Sequence, residues 1–243
     1  MIFSPFFKNE LKKEKVKITA QQVVRDDQSP LKTFRLTVDP KDIVILNADL
    51  PASGKDHYVE AYLLISDKPG NIRKVKLRYR GDNNFHWLYA QKSLRIKLAK
   101  KDTYNMEKVF NLINPPYDYT LIDSINYEIS SALGLIAPDF FPVRVFINGK
   151  FMGVYMYLSQ VDESLLRKHK IMPGSIYYGD SAPANTQGIS SLWEDAKYWN
   201  KKAARNAEQK ANREDIDYFI KAVNTLKPIE FYNFVNNIIC INW

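Results

Sequence analysis

Short runs that alternate between apolar and polar residues dominate the chain from about Phe34 to Leu98. The runs FRLTV, HYVEAYLLI, VKLRY and SLRIKL are rich in β-branched and aromatic residues, which favours strands. Turn signals separate them, namely DPKD, PASGKD, DKPGN and GDNN. This part of the sequence therefore predicts a β-rich unit.

Helical spacing replaces the alternation after the turn NPPYDY. Leu121, Ile125 and Ile129 fall on one face of a predicted helix, with Thr120 as its N-cap and Gly134 as its C-terminal stop. A single helix is thus expected to follow the strand-rich segment.

The dipeptide Asn148-Gly149 lies between two apolar runs, which is a strong signal for a two-residue hairpin turn. It predicts strands over residues 141–147 and 150–158. Beyond them, DESLLRKHK indicates a short helix, SIYYGD a strand and SAPANTQGISS a polar loop. From about Trp193 the spacing is helical again.

Strands come first and helices second in this order, which predicts an α+β architecture with two lobes. We expect a charged lead-in over residues 1–20 and a β-rich N-terminal lobe with one helix over 21–158. Residues 159–243 then form the beginning of a helical C-terminal lobe, which we expect to be incomplete because the last predicted helix is apolar on more than one face.

The composition says more about the binding partners of the protein than about its cellular compartment. The net charge of +8 and the pI near 9.3 favour anionic partners. The single cysteine, Cys240, excludes a disulfide within the chain and a multi-cysteine metal site. No run has the length of a membrane span or a secretory signal, so the protein is soluble or its true start is missing. The localisation stays open.

Basic residues share one face of the two strands in the segment KVKLRYRGDNNFHWLYAQKSLRIKL, residues 74–98. If the strands pair, period two gives a positive plate over an apolar underside. An ordinary solvated strand face explains the same pattern. The cations are Lys74, Lys76, Arg78 and Arg80 on the first strand, and Arg95 and Lys97 on the second.

The loop between these strands has the composition of an anion site. Gly81, Asp82, Asn83 and Asn84 can turn tightly and direct backbone N–H groups inward. The chain contains no Walker A loop, no GxGxxG fingerprint and no HRD or DFG signature. The three histidines, His57, His86 and His169, have no metal-ligand spacing.

The run RYRGDNN followed by QKSLRIKL resembles the RxRGNSS…KKSYRIKF signature of the CotH family, the spore-coat-type atypical protein kinases. The segment NLINPPYDYTLIDSINYEISSALGLIAP resembles that family's NLNxxxxDxSxLRNxLAYxLxxxLGxxAP. FPVRVFINGKFMGVYMYLSQVDESLL resembles VxVYVNGxYxGVYLLxEQVDxxFL, and GSIYYGD resembles GNLYKGD. The order and spacing agree over more than a hundred residues.

This resemblance implies an atypical protein-kinase-like fold that binds ATP with Mg²⁺ or Mn²⁺ between its lobes. The γ-phosphate would pass to Ser or Thr of a coat-type protein substrate. If the true N-terminus is missing, the localisation would be spore coat, cell envelope or secreted. The resemblance assigns the phosphate-contacting lysine to Lys92, with Lys97 as a second candidate because Lys92 is out of phase with the cationic face. Glu128 would hold that lysine, and Arg78 and Arg80 would hold phosphate oxygens.

Two positions depart from the family pattern: Ser159 replaces the glutamate of LLxEQVD, and Ile122 replaces the arginine of SxLRN. The metal and catalytic aspartates of the family would lie beyond Trp243, so we expect this chain alone not to transfer phosphate. Two further hypotheses remain. Phe85, Trp87 and Tyr89 beside cationic strands suit single-stranded nucleic acid, the less favoured partner. A non-catalytic coat or envelope protein is the other.

Overall fold

The computed structural model describes residues 29–48, 50, 57–66, 70–81, 86–115, 119–172, 174–179, 192–202 and 211–238. The chain forms two compact units, residues 1–169 and residues 170–243. The predicted lobe boundary between residues 158 and 159 lies within the first unit, and the assignment of lobes stays a prediction. Strands and helices are both present, as an α+β protein requires.

Seven strands of the first unit close into a barrel. Six of the seven strand pairs are antiparallel, and the barrel closes through the parallel pair of β1 and β6. The four predicted runs are confirmed as β1 to β4. The strands are β1 (Thr33–Val38), β2 (Val59–Ile65), β3 (Arg73–Tyr79), β4 (Leu94–Leu98), β5 (Val109–Ile113), β6 (Phe140–Ile147) and β7 (Lys150–Ser159), in the order β1-β2-β3-β4-β5-β7-β6.

Apolar side chains at every second strand position fill the barrel, because successive residues of a strand point to opposite faces. An aromatic group lies at its centre, where the ring of Tyr157 stacks on Phe110 at 5.1 Å and on Phe141 at 4.6 Å between centroids. Phe34 and Phe110 are fully buried beside it. This interior leaves the polar alternate positions of the same strands on the outer face.

The sequence DPKD does not form the predicted turn between strands but begins a helix, α1 (Pro40–Ala48). Asp39 Oδ1 accepts a hydrogen bond from Lys41 N at 3.0 Å, and Pro40 occupies the first helical position, which needs no N–H donor. Aspartate and proline are common in both turns and helix starts, so the local pattern alone does not separate the two.

The predicted helix that ends at Gly134 is confirmed as α2 (Tyr119–Ala132). Gly134 has φ +76°, and Leu135 N donates to Ser130 O at 2.9 Å, which is a Schellman C-cap. Its apolar face, however, is solvent-exposed: Ile125 and Ile129 are 58% and 52% exposed.

The predicted hairpin is confirmed as β6 and β7 joined at Asn148 and Gly149. Both turn residues have positive φ, 50° and 81°, as a type I′ turn requires. The Asn148 side chain also accepts from Val38 N at 2.8 Å and donates to Val38 O at 2.9 Å, which ties the turn to the end of β1.

A short helix, α3 (Glu163–Lys168), ends the first unit and is N-capped by Asp162, as DESLLRKHK predicts. The second unit pairs β8 (Ile176–Gly179) with β9 (Trp199–Lys202) and adds α4 (Glu214–Thr225) and α5 (Pro228–Ile238). β8 confirms the predicted strand, whereas β9 lies where helix was expected. Within the described ranges no helix is both long and apolar enough to cross a membrane.

Candidate functional site

Four of the basic side chains on the outer face of the ribbon formed by β3 and β4 lie in two directly opposed pairs. Lys76 lies directly opposite Lys97, and Arg78 lies directly opposite Arg95. We name these the lysine pair and the arginine pair. The alternate positions are buried, which confirms the predicted positive plate over an apolar underside; these are Val75, Leu77 and Tyr79 on β3, and Leu94, Ile96 and Leu98 on β4.

Like charges directly opposite each other on a sheet destabilise it, so both pairs oppose folding. Part of the charge on this face is offset at its edge, because Lys74 Nζ lies 2.7 Å from Glu60 Oε1. The lysine pair is exposed to solvent, where water screens the repulsion. The arginine pair is only partly exposed, so its repulsion is screened less.

Arg78 is held by its neighbours but keeps one buried donor without an acceptor. Its guanidinium carbon lies 5.2 Å from the ring centroid of Tyr58, and Nη1 donates to Tyr79 O at 3.2 Å. Nε is buried and has no hydrogen-bond partner among the described residues. A buried donor left unsatisfied costs about 1–3 kcal/mol, so this atom favours an acceptor supplied from outside the chain.

Arg95 is fixed by two neutral side chains. Its Nε donates to Asn111 Oδ1 at 2.9 Å, and its Nη2 donates to Gln160 Oε1 at 3.0 Å. Asn111 is 2% exposed and is itself anchored, since its Nδ2 donates to Leu158 O at 3.2 Å. Sequence reasoning placed Arg95 on the cationic face but did not make it a site residue. Its place on the same face as Lys97 was the signal in the sequence, whereas its register opposite Arg78 is known only from the structure.

The far end of the same ribbon is covered by a polar network around Ser93. Arg80 N donates to Ser93 O at 3.0 Å, and Asn114 N donates to the fully buried Ser93 Oγ at 3.0 Å. His86 Nδ1 also lies 3.0 Å from that hydroxyl. This network fixes the backbone beside Arg80. The predicted anion nest at residues 82–84, and Phe85, lie outside the described residues.

Gly81 allows this network to form. Its φ is +106°, and a Cβ atom added there would lie 2.1 Å from the ring of His86. The glycine of RYRGDNN therefore serves the close approach of His86, because any larger residue would displace the imidazole ring.

Lys92 and Lys97 have different surroundings. Lys92 Nζ donates to Tyr89 O at 2.9 Å and lies 6.0 Å from the ring centroid of Tyr79. Burial lowers the pKa of its ammonium group. Lys97 is exposed on the cationic face. The structure thus places Lys92 away from the outer row, in agreement with its predicted phase, while the role of either lysine stays a prediction.

Glu128 lies exposed on α2 and forms neither an ion pair nor a hydrogen bond with Lys92 or Lys97 in the part of the chain that the structure describes. The preceding residue, Tyr127, is the one that turns toward the barrel, with its ring 5.0 Å from Phe140. Burial raises the pKa of Tyr127, which the nearby charge of Arg80 partly offsets. The geometry therefore does not join Glu128 to the predicted phosphate-binding lysines.

The sequence model of a family described as CotH kinase protein matches residues 77–241, a span that contains the arginine pair and Gln160. The chain belongs to the CotH family. It is also 28% identical over 210 residues to the inner spore coat protein H of Bacillus subtilis (strain 168). That match covers 84% of this chain and 55% of the relative, so the chain spans about half the length of the curated relative it matches.

The CotH pattern has a glutamate where this chain has Ser159, yet a carboxylate lies beside that position. Ser159 Oγ donates to Glu107 Oε1, and Gln160 N donates to Glu107 Oε2 at 3.2 Å. Glu107 is 2% exposed, and burial raises the pKa of its carboxyl despite these hydrogen bonds. Sequence reasoning missed Glu107, because it lies in a segment without strand or helix periodicity.

A tight turn presents Glu107 to the end of β7. Tyr104 and Glu107 form an isolated antiparallel bridge, and the two residues between them, Asn105 and Met106, have φ of 52° and 63°. Positive φ is uncommon for methionine, so the surrounding contacts must hold this turn. Ser159 is further fixed from the other side, since Asp139 N donates to its Oγ at 3.2 Å.

The side chains gathered here suit phosphate better than a metal. Guanidinium groups and a buried unsatisfied N–H are donors for anionic oxygens. Among the described residues there is no group of three His, Cys, Asp or Glu side chains that could hold a metal ion. The described guanidinium groups therefore suit anionic oxygens in general, and the binding of ATP with Mg²⁺ or Mn²⁺ stays a prediction.

Proposed function

We propose that this protein is an ATP-dependent protein kinase with a kinase-like fold, which transfers the γ-phosphate of ATP to Ser or Thr of a coat-type protein. The observation that carries this proposal is the cationic face of β3 and β4, of which Arg78, Arg95 and Lys97 lie within the residues 77–241 matched by the CotH family. The relative named inner spore coat protein H supports the coat as the setting.

In this reaction an acceptor hydroxyl oxygen bonds to the γ-phosphorus, and the bond from that phosphorus to the bridging oxygen of ADP breaks. The hydroxyl proton leaves to a base. Charge develops on the phosphate oxygens, so fixed cations beside them lower the barrier. The cations on the outer face of β3 and β4, Arg78 and Arg95 among them, support this part of the proposal.

Calorimetry with ATP, followed by transfer of label from γ-labelled ATP to dephosphorylated casein and to the protein itself, tests the proposal. We expect ATP binding by this chain with MgCl₂ or MnCl₂ present, and label on Ser or Thr when the protein assayed also carries the metal and catalytic aspartates that the reaction needs. Binding of ATP without label in any acceptor contradicts the transfer step. Absence of both contradicts the proposed function.

A non-catalytic coat protein is the second candidate, and the name of the Bacillus relative, inner spore coat protein H, favours it. It predicts no ATP-dependent rise in melting temperature. The nucleic-acid hypothesis predicts oligonucleotide affinity that falls steeply with salt. Tyr89 is 42% exposed, whereas Trp87 is only partly exposed and its Nε1 is buried, so fewer aromatic faces are open to stacking than that hypothesis expected.

A further inference from the structure

We propose that Glu107 is a positioning residue for the end of β7, and that its side chain fills a site for one carboxyl which position 159 of β7 could supply instead. This inference goes beyond the proposed function, because it concerns how the chain is fixed where β7 leaves the barrel. It does not depend on nucleotide chemistry.

Glu107 accepts hydrogen bonds from two successive residues at the end of β7. Its Oε1 accepts from the Ser159 hydroxyl, and its Oε2 accepts from Gln160 N at 3.2 Å. Both Glu107 and Ser159 are buried, at 2% and 1% exposure. Without this carboxyl, a buried hydroxyl and the amide that follows it would lose their acceptor. The contacts therefore make Glu107 the residue that fixes the strand end.

The turn that carries Glu107 is strained, and packing of its apolar residue does not offset the strain. Asn105 and Met106 have φ of 52° and 63°, in the left-handed region that methionine rarely adopts. Met106 is 59% exposed, so burial of its side chain stabilises the turn little. Asn105 Nδ2 donates to Asp139 Oδ2, and Glu107 binds the end of β7. Strain of this kind persists where surrounding contacts fix the backbone, and here those contacts are the ones that place Glu107.

Position 159 could deliver a carboxyl to the same site from β7. A glutamate there, in the same rotamer, would have Cγ in the place of the Ser159 Oγ atom that contacts Glu107. Its carboxyl carbon would lie about 1.5 Å further on, within the volume that the Glu107 carboxyl fills. The CotH pattern LLxEQVD has glutamate at this position, where the present chain has YLSQVD. Serine at 159 and glutamate at 107 thus form a matched pair, in which the short side chain leaves room for the long one.

The charges around Glu107 suit one carboxyl and not two. Asp139 lies beside it and forms an ion pair with Lys168 of α3. Burial is the main cause that raises the pKa of Glu107, while the charge of Lys168 opposes that rise and the charge of Asp139 adds to it. Tyr157 also faces the group, since burial and next the charge of Glu107 raise the pKa of its hydroxyl. A second carboxylate from position 159 would meet two acidic neighbours, and the nearby ammonium is already paired.

Amide hydrogen exchange of Gln160, followed by NMR on the whole chain, reports on the fixed strand end directly. The variants are Glu107→Ala, Ser159→Glu and the exchanged variant that combines the two. Ser159→Met in the Glu107→Ala background fills a similar volume without a carboxyl. Glu60→Ala is the matched control, because it removes an exposed carboxylate that pairs with Lys74. Urea unfolding between roughly pH 4 and pH 8 gives the stability of each variant and its pH dependence.

We expect Glu107→Ala to lower the protection of the Gln160 amide about tenfold or more, and Ser159→Glu alone to lower it as well. In the Glu107→Ala background, Ser159→Glu should instead raise protection about threefold or more, because the carboxyl then enters a vacated site. Wild type and the exchanged variant should also gain stability relative to Glu107→Ala as the pH falls, since a buried carboxyl binds its proton more tightly in the folded state. Ser159→Met should recover neither property, and Glu60→Ala should stay within about twofold of wild type in protection.

A Gln160 amide that is as protected in Glu107→Ala as in wild type overturns the positioning role, as does an equal loss in Glu60→Ala. An exchanged variant that is no better protected than Glu107→Ala, or is matched by Ser159→Met, overturns the single-carboxyl site. If Glu107→Ala does not fold, recovery of the folded state by the exchanged variant supports the inference, and its failure to fold contradicts it.

Discussion

The two like-charge pairs of the β3–β4 ribbon share strands, face and register, yet their surroundings differ. The lysine pair is exposed and lies at the end of the ribbon near Glu60. The arginine pair is partly buried, and Arg95 donates hydrogen bonds to Asn111 and Gln160. Beyond it the ribbon continues into the covered network around Ser93. Positive charge is thus common to the whole face, while fixed geometry is confined to one part of it.

This difference shows that positive charge on a face and a fixed arrangement of donors are separate properties. A solvated lysine pair contributes to the general attraction of anions, which salt screens. A guanidinium pair with neutral supports can bind an anion in one orientation. An ordinary solvated strand face, the alternative explanation of these cations, therefore describes the lysine pair well and the arginine pair poorly.

The largest loss of stability is expected at the end of the ribbon that the network around Ser93 covers. Gly81→Ala adds a Cβ atom 2.1 Å from His86 at φ +106°, so we expect a loss of about 3 kcal/mol in the free energy of unfolding. Gly134→Ala is the matched control, because its φ is +76° but nothing lies within 4 Å of the added atom. It should cost about 1 kcal/mol. Equal losses in urea unfolding would show that His86 does not pack as described.

Ser93→Ala removes the hydroxyl at the centre of the same network. It takes away the acceptor of Asn114 N and the partner of His86 Nδ1, so we expect a loss of about 2 kcal/mol. Ser130→Ala serves as the control, since that hydroxyl only accompanies an exposed helix carbonyl, and it should change stability by less than about 0.5 kcal/mol. A Ser93 variant as stable as wild type contradicts the network.

The buried carboxyl of Glu107, which accepts a hydrogen bond from Gln160 N, should make the folding stability depend on pH. Because burial raises the pKa of Glu107, the folded state holds this proton more tightly than the unfolded chain. Its contribution is then fully present below the unfolded pKa and is lost as the pH rises through the folded pKa. The stability of wild type relative to Glu107→Gln should increase as the pH falls into the acid range. A constant difference, or one of opposite sign, would be inconsistent with a desolvated carboxyl.

The lysine pair should give the smallest effect. Lys97→Glu turns its repulsion into attraction across the strands and should raise stability by about 0.5 kcal/mol at low salt. The gain should vanish near roughly 1 M NaCl, where exposed charges are screened. A gain that persists in salt would mean that packing, and not charge, distinguishes this end of the ribbon.

Local patterns predicted the parts of the fold that depend on neighbours in sequence. Alternation sorted the faces of β3 and β4, and Asn148 with Gly149 predicted the hairpin, because both signals act over a few residues. β9 was missed since the residues WNKK carry no strand periodicity of their own and become a strand by pairing with β8. α1 was missed because DPKD suits a turn as well as a helix start.

The candidate site was less predictable because its contacts join residues that are far apart in the sequence. The partners of Arg95 lie 16 and 65 positions away, and Glu107 and Ser159 are 52 positions apart. These strands come side by side because β5 pairs with β4 on one edge and with β7 on the other. The family resemblance predicted phosphate contacts for Arg78 and Arg80 and a lysine contact for Glu128, and these roles stay predictions. The register that places Arg95 opposite Arg78 is known only from the structure.

The most direct test of this account is the ATP affinity of the double variant Arg78→Lys/Arg95→Lys, measured by calorimetry against wild type. The variant keeps every charge on the face but loses the planar guanidinium forks and the grip of Asn111 and Gln160. The account predicts about a tenfold or greater loss of affinity, with urea stability little changed. An affinity equal to that of wild type would mean that charge alone makes the site, and would contradict the account.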